Sequence, residues 1–274
     1  MNRRSFFLTG AAAPLAAAAA AAPPAGRLKQ GVAQWCFGKM SLDELCRHSA
    51  RIGIRGIDLV GPEAFPTLKK YGLVPSMLPP GHPIGEGINR RENHDRIEKI
   101  MRQNIALAAA AGAPNVITLS GNRRGMSDEE GAANCVLFLN RVKAEAEDKR
   151  VTVCLELLNG KDHKDYMCDH TAWGVEVCRR VNSPRVRLLY DIYHMQRMEG
   201  EIVQTVRNNI AWIAHFHTGG VPGRHEIDES QELNYRAIAK AIADLGFAGF
   251  FSHEFVPAGD PVRSLERAFE ICNV

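Results

Sequence analysis

The sequence predicts a single-domain α/β protein of the (β/α)8 TIM-barrel class. Eight short apolar runs recur along the chain, and segments with helical periodicity separate most of them. About 250 residues remain after an unusual N-terminal segment, which matches the size of such a barrel. An open doubly wound sheet is the alternative. No G-x-G-x-x-G follows the first run, so the nucleotide-binding version of that sheet has no support.

Runs that are apolar throughout are typical of parallel strands that are covered on both faces. Between them, apolar residues recur with helical period over residues 97–111 and 132–146. The predicted strands cover residues 31–36, 56–60, 73–77, 115–119, 151–156, 186–191, 212–217 and 249–254.

Helix starts are marked by S-x-x-E capping boxes, in which a serine and a glutamate satisfy each other's backbone N–H groups. Ser41 with Glu44 and Ser127 with Glu130 have this spacing. Each box precedes a segment with helical character, so the sequence indicates both the helix and its first residue.

The N-terminal 26 residues predict a cleaved export signal, with the barrel over residues 27–274. Arg3 and Arg4 precede an apolar, alanine-rich run, and no acidic residue occurs before residue 43. The arginine pair resembles the twin-arginine type of signal, which predicts a periplasmic or secreted protein. A membrane anchor is the alternative, but the 17 residues from Phe6 to Ala22 are mostly alanine and are interrupted by Pro14.

Charge and cysteine usage limit the classes of partner. The full chain carries +3, and without the two leader arginines the balance is 32 basic against 31 acidic residues, or +1. A nearly neutral protein lacks the electrostatic field that nucleic acid binding or stable membrane association needs.

The seven cysteines cannot all pair with one another, and the sequence contains no C-x-x-C motif. Buried thiols are expected, with a disulfide left open as the alternative.

Four consecutive predicted strands end in charged or metal-binding side chains: Glu156, Asp191, His217 and Glu254. In a barrel the carboxyl ends of the strands converge on one mouth, where barrel enzymes place their sites. Three carboxylates at close range need a cation, because like charges cannot all stay ionised alone. The set therefore predicts one divalent ion, Mn²⁺, Mg²⁺ or Co²⁺, rather than four isolated helix-capping residues.

Other candidates lie close to these strand ends. His215 shares the strand phase of the ligand histidine, which indicates a barrel-interior or supporting position rather than a ligand. Arg224 follows the seventh strand and could hold a carboxylate or a hydroxyl pair, a surface arginine being the alternative. His194 lies just past a ligand. Asp162 could reach the substrate or serve a turn, and Trp35 could line the pocket or pack in the core.

Several motifs resemble the hydroxypyruvate isomerase family, which belongs to the xylose isomerase-like barrels of the sugar isomerase/epimerase superfamily. The resemblance spans about residues 30–272. The motifs that carry it are Glu156-Leu157-Leu158-Asn159, Tyr190-Asp191-Ile192-Tyr193-His194, Pro222-Gly223-Arg224-His225-Glu226 and His253-Glu254-Phe255.

The resemblance implies a metal-dependent isomerase in which Glu156 and Glu254 bind the metal and move protons. Hydroxypyruvate would give tartronate semialdehyde through an enediolate. Two features depart from the family: it usually has glutamine at the position of His217, and its members are normally cytoplasmic. The remaining implied roles are metal ligation by Asp191 and His217 and substrate binding by His194 and Arg224.

Alternatives on the same barrel are a ketose 3-epimerase, for which histidine at position 217 is more typical, and a keto-sugar lyase or dehydratase. A DNA-repair nuclease would need more histidines and a basic face, and a non-catalytic sugar-binding protein would not need paired glutamates. The expected partners are a small keto-acid or sugar substrate and, since barrels of this kind often pair, a second copy of the chain.

Overall fold

The computed structural model describes residues 26–274. The predicted export signal, residues 1–26, lies outside the described residues apart from its last residue. Among residues 26–274, none of the helices combines the length and apolar character that crossing a bilayer requires.

Eight parallel strands form the wall of the barrel within the described chain. Their order in the sheet is β3-β2-β1-β8-β7-β6-β5-β4, so every strand but the outer two has hydrogen-bonded neighbours on both sides. They are β1 (Lys29–Ala33), β2 (Gly56–Asp58), β3 (Val74–Met77), β4 (Asn115–Thr118), β5 (Thr152–Glu156), β6 (Val186–Asp191), β7 (Ile213–Thr218) and β8 (Phe250–His253).

The ring closes between β3 and β4 through a short contact just past the end of β3. Leu78 pairs with Val116 as an isolated parallel bridge. The Leu78 N–H donates to the Asn115 carbonyl at 3.1 Å, and the Leu78 carbonyl accepts from Ile117 at 3.2 Å. The result is a nearly closed (β/α)8 barrel, which confirms the predicted fold class.

Helices cover the outside of the barrel. The predicted capping box at Ser41 is present in full, and Ser127 accepts from the Glu130 N–H as predicted. The helices are α1 (Leu42–Ile52), α2 (Phe65–Lys70), α3 (His94–Ala111), α4 (Asp128–Lys149), α5 (Thr171–Val181), α6 (Ile192–Met198), α7 (Ile202–Asn209), α8 (Tyr235–Asp244) and α9 (Pro261–Cys272).

The apolar core lies mainly between strands and helices, while the barrel interior holds a small apolar cluster of Met77, Ile117, Cys154 and Leu189. All seven cysteines are buried free thiols in the structure, in agreement with the favoured expectation. Because the interior apolar cluster is small, polar side chains occupy part of the space beneath the mouth.

The predicted end of the first strand was wrong in a way that matters for the site. The first strand was expected to reach Cys36, but β1 ends at Ala33 and a short 3-10 helix, Gln34–Phe37, follows. The sequence stays apolar through this turn, so hydrophobicity alone does not mark the end of the strand. The turn carries Trp35 out over the mouth with 51% of its surface exposed, so the alternative of core packing is wrong.

Candidate metal centre and active site

The structure brings the four predicted ligands together at the carboxyl ends of the strands. Glu156 and Asp191 end β5 and β6, His217 is the penultimate residue of β7, and Glu254 directly follows β8. One ligand atom from each lies within 4.8 Å of the others, and all four residues are buried. A cluster that is rich in oxygen and contains one imidazole nitrogen suits a divalent cation.

The orientation of His217 supports this fit. Its Nε2 lies 3.0 Å from Asp58 Oδ2. Its Nδ1 lies 2.8 Å from Glu254 Oε2 and 3.9 Å from Glu156 Oε1. Nevertheless, Nδ1 has no hydrogen bond of acceptable geometry to any residue in the described part of the chain. A buried nitrogen that faces two carboxylates without a hydrogen bond is the arrangement a metal ion satisfies.

The carboxyl groups of the cluster differ in proton affinity. Burial raises the pKa of Glu156 to about 8, and the nearby charge of Glu254 adds to this effect. Burial also raises the pKa of Asp191 to about 6 against the attraction of Arg224. Burial likewise disfavours the charge on Glu254, but attraction by His217 and Arg224 outweighs it and holds the pKa of Glu254 below its usual range. Without a cation, the cluster therefore resists full ionisation.

Arg224 closes over the cluster from the loop after β7. Its Nη2 donates to Asp191 Oδ2 at 2.9 Å and to Glu254 Oε2. The Arg224 backbone adopts a left-handed conformation with φ of 55°, and its N–H donates to the Gly220 carbonyl at 2.6 Å. This tight loop directs the guanidinium inward, so the alternative of a surface arginine is wrong.

His194 and Arg224 face each other at the mouth. The Asn159 backbone N–H donates to His194 Nδ1 at 3.1 Å, so a neutral His194 ring carries its proton on Nε2. That Nε2 lies 2.6 Å from Arg224 Nη1. Burial, followed by repulsion from Arg224, holds the pKa of His194 well below its usual value, which keeps the ring neutral. With this tautomer two donor nitrogens lie against each other at the mouth, and an oxygen bound on one side of the pair could accept from both.

Trp35 lies at the mouth, beside the cluster. Its Nε1 donates to Glu254 Oε1 at 2.7 Å. Its ring centroid lies 5.7 Å from the guanidinium carbon of Arg224. The indole therefore contacts both a predicted ligand and the arginine above it.

Asp162 lies further out, at the rim. Its carboxylate accepts from Arg197 Nη1 at 2.6 Å, from the Tyr193 hydroxyl at 2.7 Å and from Asn159 Nδ2 at 3.0 Å. Through these bonds it anchors the Tyr193 ring, which stacks under Arg224 with 4.8 Å between the guanidinium carbon and the ring centroid. Asp162 is thus positioned to act on the site through its neighbours.

Sequence reasoning missed two residues of this region. His163 lies over His194, with 5.4 Å between the ring centroids, and nothing in its sequence context marks it. The second is Asp58, whose Oδ2 lies 2.6 Å from Nε2 of the buried His215 and 3.0 Å from Nε2 of His217. An acidic residue at the end of a short apolar strand could have pointed to Asp58. The predicted second strand continues to Val60, however, so Asp58 did not stand at a predicted strand end.

The fold and the carboxylate cluster define a parallel (β/α)8-barrel protein with its site at the carboxyl ends of the strands. A family profile described as a xylose isomerase-like TIM barrel matches residues 66–271. The chain belongs to this family, which confirms the resemblance at the level of the wider barrel family.

Relatives of the chain carry isomerase names. A 2-oxo-tetronate isomerase of Cupriavidus necator is 34% identical over 107 residues, which cover 39% of this chain and 41% of that protein. A Drosophila melanogaster protein with the provisional name hydroxypyruvate isomerase is 36% identical over 242 residues, or 82% of this chain and 89% of that protein. The chain thus spans less than half of the first relative and most of the second.

Among solved structures, the family 2 AP endonuclease of Brucella melitensis superposes with a TM-score of 0.77 at 22% sequence identity. The match covers 88% of this chain and 96% of that one. At this identity the likeness concerns the fold alone, and it carries no information about the reaction.

Proposed function

We propose that this protein is a metal-dependent isomerase of small α-hydroxy carbonyl compounds, and that its substrate is a 2-oxo-3-hydroxy acid such as hydroxypyruvate. The single observation that carries the proposal is the buried cluster of Glu156, Asp191, His217 and Glu254, whose ligand atoms lie within 4.8 Å of one another. The names of the relatives support the same reaction class.

The four clustered residues would hold the divalent ion. When bound, Mn²⁺, Mg²⁺ or Co²⁺ would polarise the substrate carbonyl and offset negative charge that develops on the adjacent oxygens. The donor set fits such an ion, since Nδ1 of His217 has no hydrogen bond of acceptable geometry within the described chain and lies within 4.8 Å of all three carboxylates.

The two glutamates would move the protons. One carboxylate takes the proton from the hydroxyl-bearing C3, and the other returns a proton to C2, so that the carbonyl migrates from C2 to C3. The hydroxyl proton moves from O3 to O2, and neither an oxidant nor water is consumed. For hydroxypyruvate this balance gives tartronate semialdehyde.

The mouth offers a place for the substrate carboxylate. His194 Nε2 and Arg224 Nη1 are 2.6 Å apart, and both are donors when the histidine is neutral. A carboxylate oxygen seated on one side of this pair would accept from both groups, and arginine is well suited to such a contact. Both 2-oxo-tetronate and hydroxypyruvate, the compounds in the relatives' names, carry a carboxylate next to a keto group.

A ketose 3-epimerase is the second candidate. His217 favours it, because histidine at this position is more typical of those epimerases than of hydroxypyruvate isomerases. The same two glutamates would then exchange a proton on opposite faces of one carbon, and Arg224 would contact hydroxyl groups instead of a carboxylate.

The test is a substrate panel in D₂O, followed by NMR, using metal-stripped protein resupplied with Mn²⁺, Mg²⁺ or Co²⁺. We expect deuterium to enter C2 of the product formed from hydroxypyruvate. Incorporation into a ketohexose at C3 would instead support the epimerase. Loss of water would indicate a dehydratase, and no exchange with any compound would contradict catalysis on this panel.

We further propose that the protein acts outside the inner membrane as a homodimer. The arginine pair and apolar run of the N-terminal segment support export. Fractionation of cells that express the wild-type chain and an Arg3→Lys/Arg4→Lys variant tests it, with the variant expected to stay in the cytoplasm. Light scattering of the purified protein tests the dimer.

A further inference from the structure

We propose that Asp58 is a positioning residue that fixes the His217 ring with its Nδ1 toward the carboxylate cluster. The inference rests on the proposed metal site, and it adds a residue that contacts neither the ion nor the substrate. In the sequence, Asp58 is separated from His217 by 159 positions, so only the closed barrel brings the two together.

Asp58 is a fully buried carboxylate on β2 with three polar partners in the described chain. Its Oδ2 lies 2.6 Å from His215 Nε2 and 3.0 Å from His217 Nε2, and its Oδ1 accepts from the Ser76 hydroxyl. A buried carboxylate is costly unless hydrogen bonds compensate it. Both histidines are fully buried as well, so these bonds are shielded from water.

The tautomers follow from the donors and acceptors present. Asn115 Nδ2 lies 3.3 Å from His215 Nδ1 and can only donate, so the His215 proton resides on Nε2 and points to Asp58. An ionised Asp58 can only accept, so His217 must also carry a proton on Nε2. To bind a cation His217 gives up one proton, and because Asp58 holds the Nε2 proton, Nδ1 is the nitrogen that becomes a ligand; it lies 2.8 Å from Glu254 Oε2.

Asp58, His215 and His217 could themselves be considered a second metal site, since their ligand atoms also lie within 4.8 Å of one another. The tautomers argue against this alternative. Each histidine carries a proton on the Nε2 that faces Asp58, so neither nitrogen has a lone pair free for a metal ion. The 2.6 Å between His215 Nε2 and Asp58 Oδ2 is a hydrogen-bond distance. The group is therefore a hydrogen-bonded support for the ligand histidine.

The test compares Asp58→Asn with Gln30→Leu by calorimetric titration of the metal-stripped proteins with Mn²⁺. Gln30 is a matched control because it is also buried and polar. Its Oε1 lies 2.9 Å from Nε2 of His253, a histidine that is not part of the carboxylate cluster. We expect Asp58→Asn to weaken Mn²⁺ binding by about 10- to 100-fold, the usual effect of removing such a partner, and Gln30→Leu to leave it unchanged.

A second measurement uses the wild-type protein, so it stands even if Asp58→Asn does not fold. In ¹⁵N-histidine-labelled protein bound to Zn²⁺, the NMR signals of His217 should show the proton on Nε2. A proton on Nδ1, or equal Mn²⁺ affinities for wild type and Asp58→Asn, would overturn the inference. If the wild-type protein itself binds no Mn²⁺, the proposed metal site is what fails.

Discussion

Trp35 donates its indole N–H to Glu254 Oε1 at 2.7 Å, although the two residues are 219 positions apart and half of the tryptophan is exposed to solvent. The bond ties the turn after β1 to the residue after β8, so it links the first and last strands at the mouth. It also reduces the freedom of a carboxylate that is expected both to bind metal and to move a proton.

Replacing Trp35 by phenylalanine keeps an aromatic wall and removes this donor. We expect kcat/KM to fall by about tenfold or more, since a hydrogen bond to a charged group contributes about 1.5–3 kcal/mol. Trp173→Phe is the control, because the Trp173 indole N–H also donates, at 3.1 Å, to the remote Asp128 carbonyl. Equal kinetics for the two variants would show that the Trp35 bond has no role in turnover.

Glu156→Gln and Glu254→Gln should each lower kcat by about 10²- to 10⁴-fold at saturating Mn²⁺, because an amide cannot carry the proton. Steady-state kinetics and the rate of deuterium exchange from D₂O should decline together. Glu199→Gln serves as the control, since Glu199 accepts from the Thr171 N–H and hydroxyl at 2.7 Å, outside the cluster. Near-normal activity of either cluster variant on the true substrate would reject the two-glutamate mechanism.

Arg224 places a positive charge against the same carboxylates that would hold the metal. Removing it in Arg224→Gln should therefore tighten Mn²⁺ binding by about tenfold while lowering kcat/KM by about 100-fold, through loss of a substrate contact. Calorimetry and kinetics separate the two effects.

Arg123→Gln is the matched control, because Arg123 Nη2 also pairs with a carboxylate, Asp169, at 2.9 Å outside the cluster. It should change neither quantity. Weaker Mn²⁺ binding by Arg224→Gln would contradict the expected competition between arginine and metal.

Acid should destabilise the fold in part through His253. Burial lowers the pKa of His253 from 6.5 to about 3, so the folded state stays neutral where the unfolded chain takes up a proton. The stability that depends on the neutral ring is complete above about pH 6.5 and is lost as the pH falls toward 3.

Between pH 7 and pH 5, the wild-type free energy of unfolding should fall by about 2 kcal/mol more than that of His253→Gln. Urea unfolding of both proteins at the two pH values measures this difference. Parallel losses in the two proteins would show that His253 does not set the acid sensitivity.

Much of the barrel could be predicted because its strands are short apolar runs, two of which end in acidic residues that belong to the cluster. The ends of β5 and β6, at Glu156 and Asp191, are where the sequence predicts them. β1 stops short of its predicted end because the apolar sequence continues into a 3-10 turn. Asp58 escaped prediction because its partners lie more than 150 residues away, and local sequence does not report such a pairing.

The short bridge between Leu78 and Val116 has a consequence for motion. Among the described strands, every adjacent pair is joined by a ladder of at least three residue pairs except β3 and β4. Opening the ring at this seam breaks few backbone hydrogen bonds, so amide hydrogen exchange should be fastest there. The seam does not include the ligand-bearing strands β5 to β8, from which β4 separates it on one side and β3, β2 and β1 on the other. The barrel wall can thus open transiently between β3 and β4 while the four clustered ligands keep their mutual spacing.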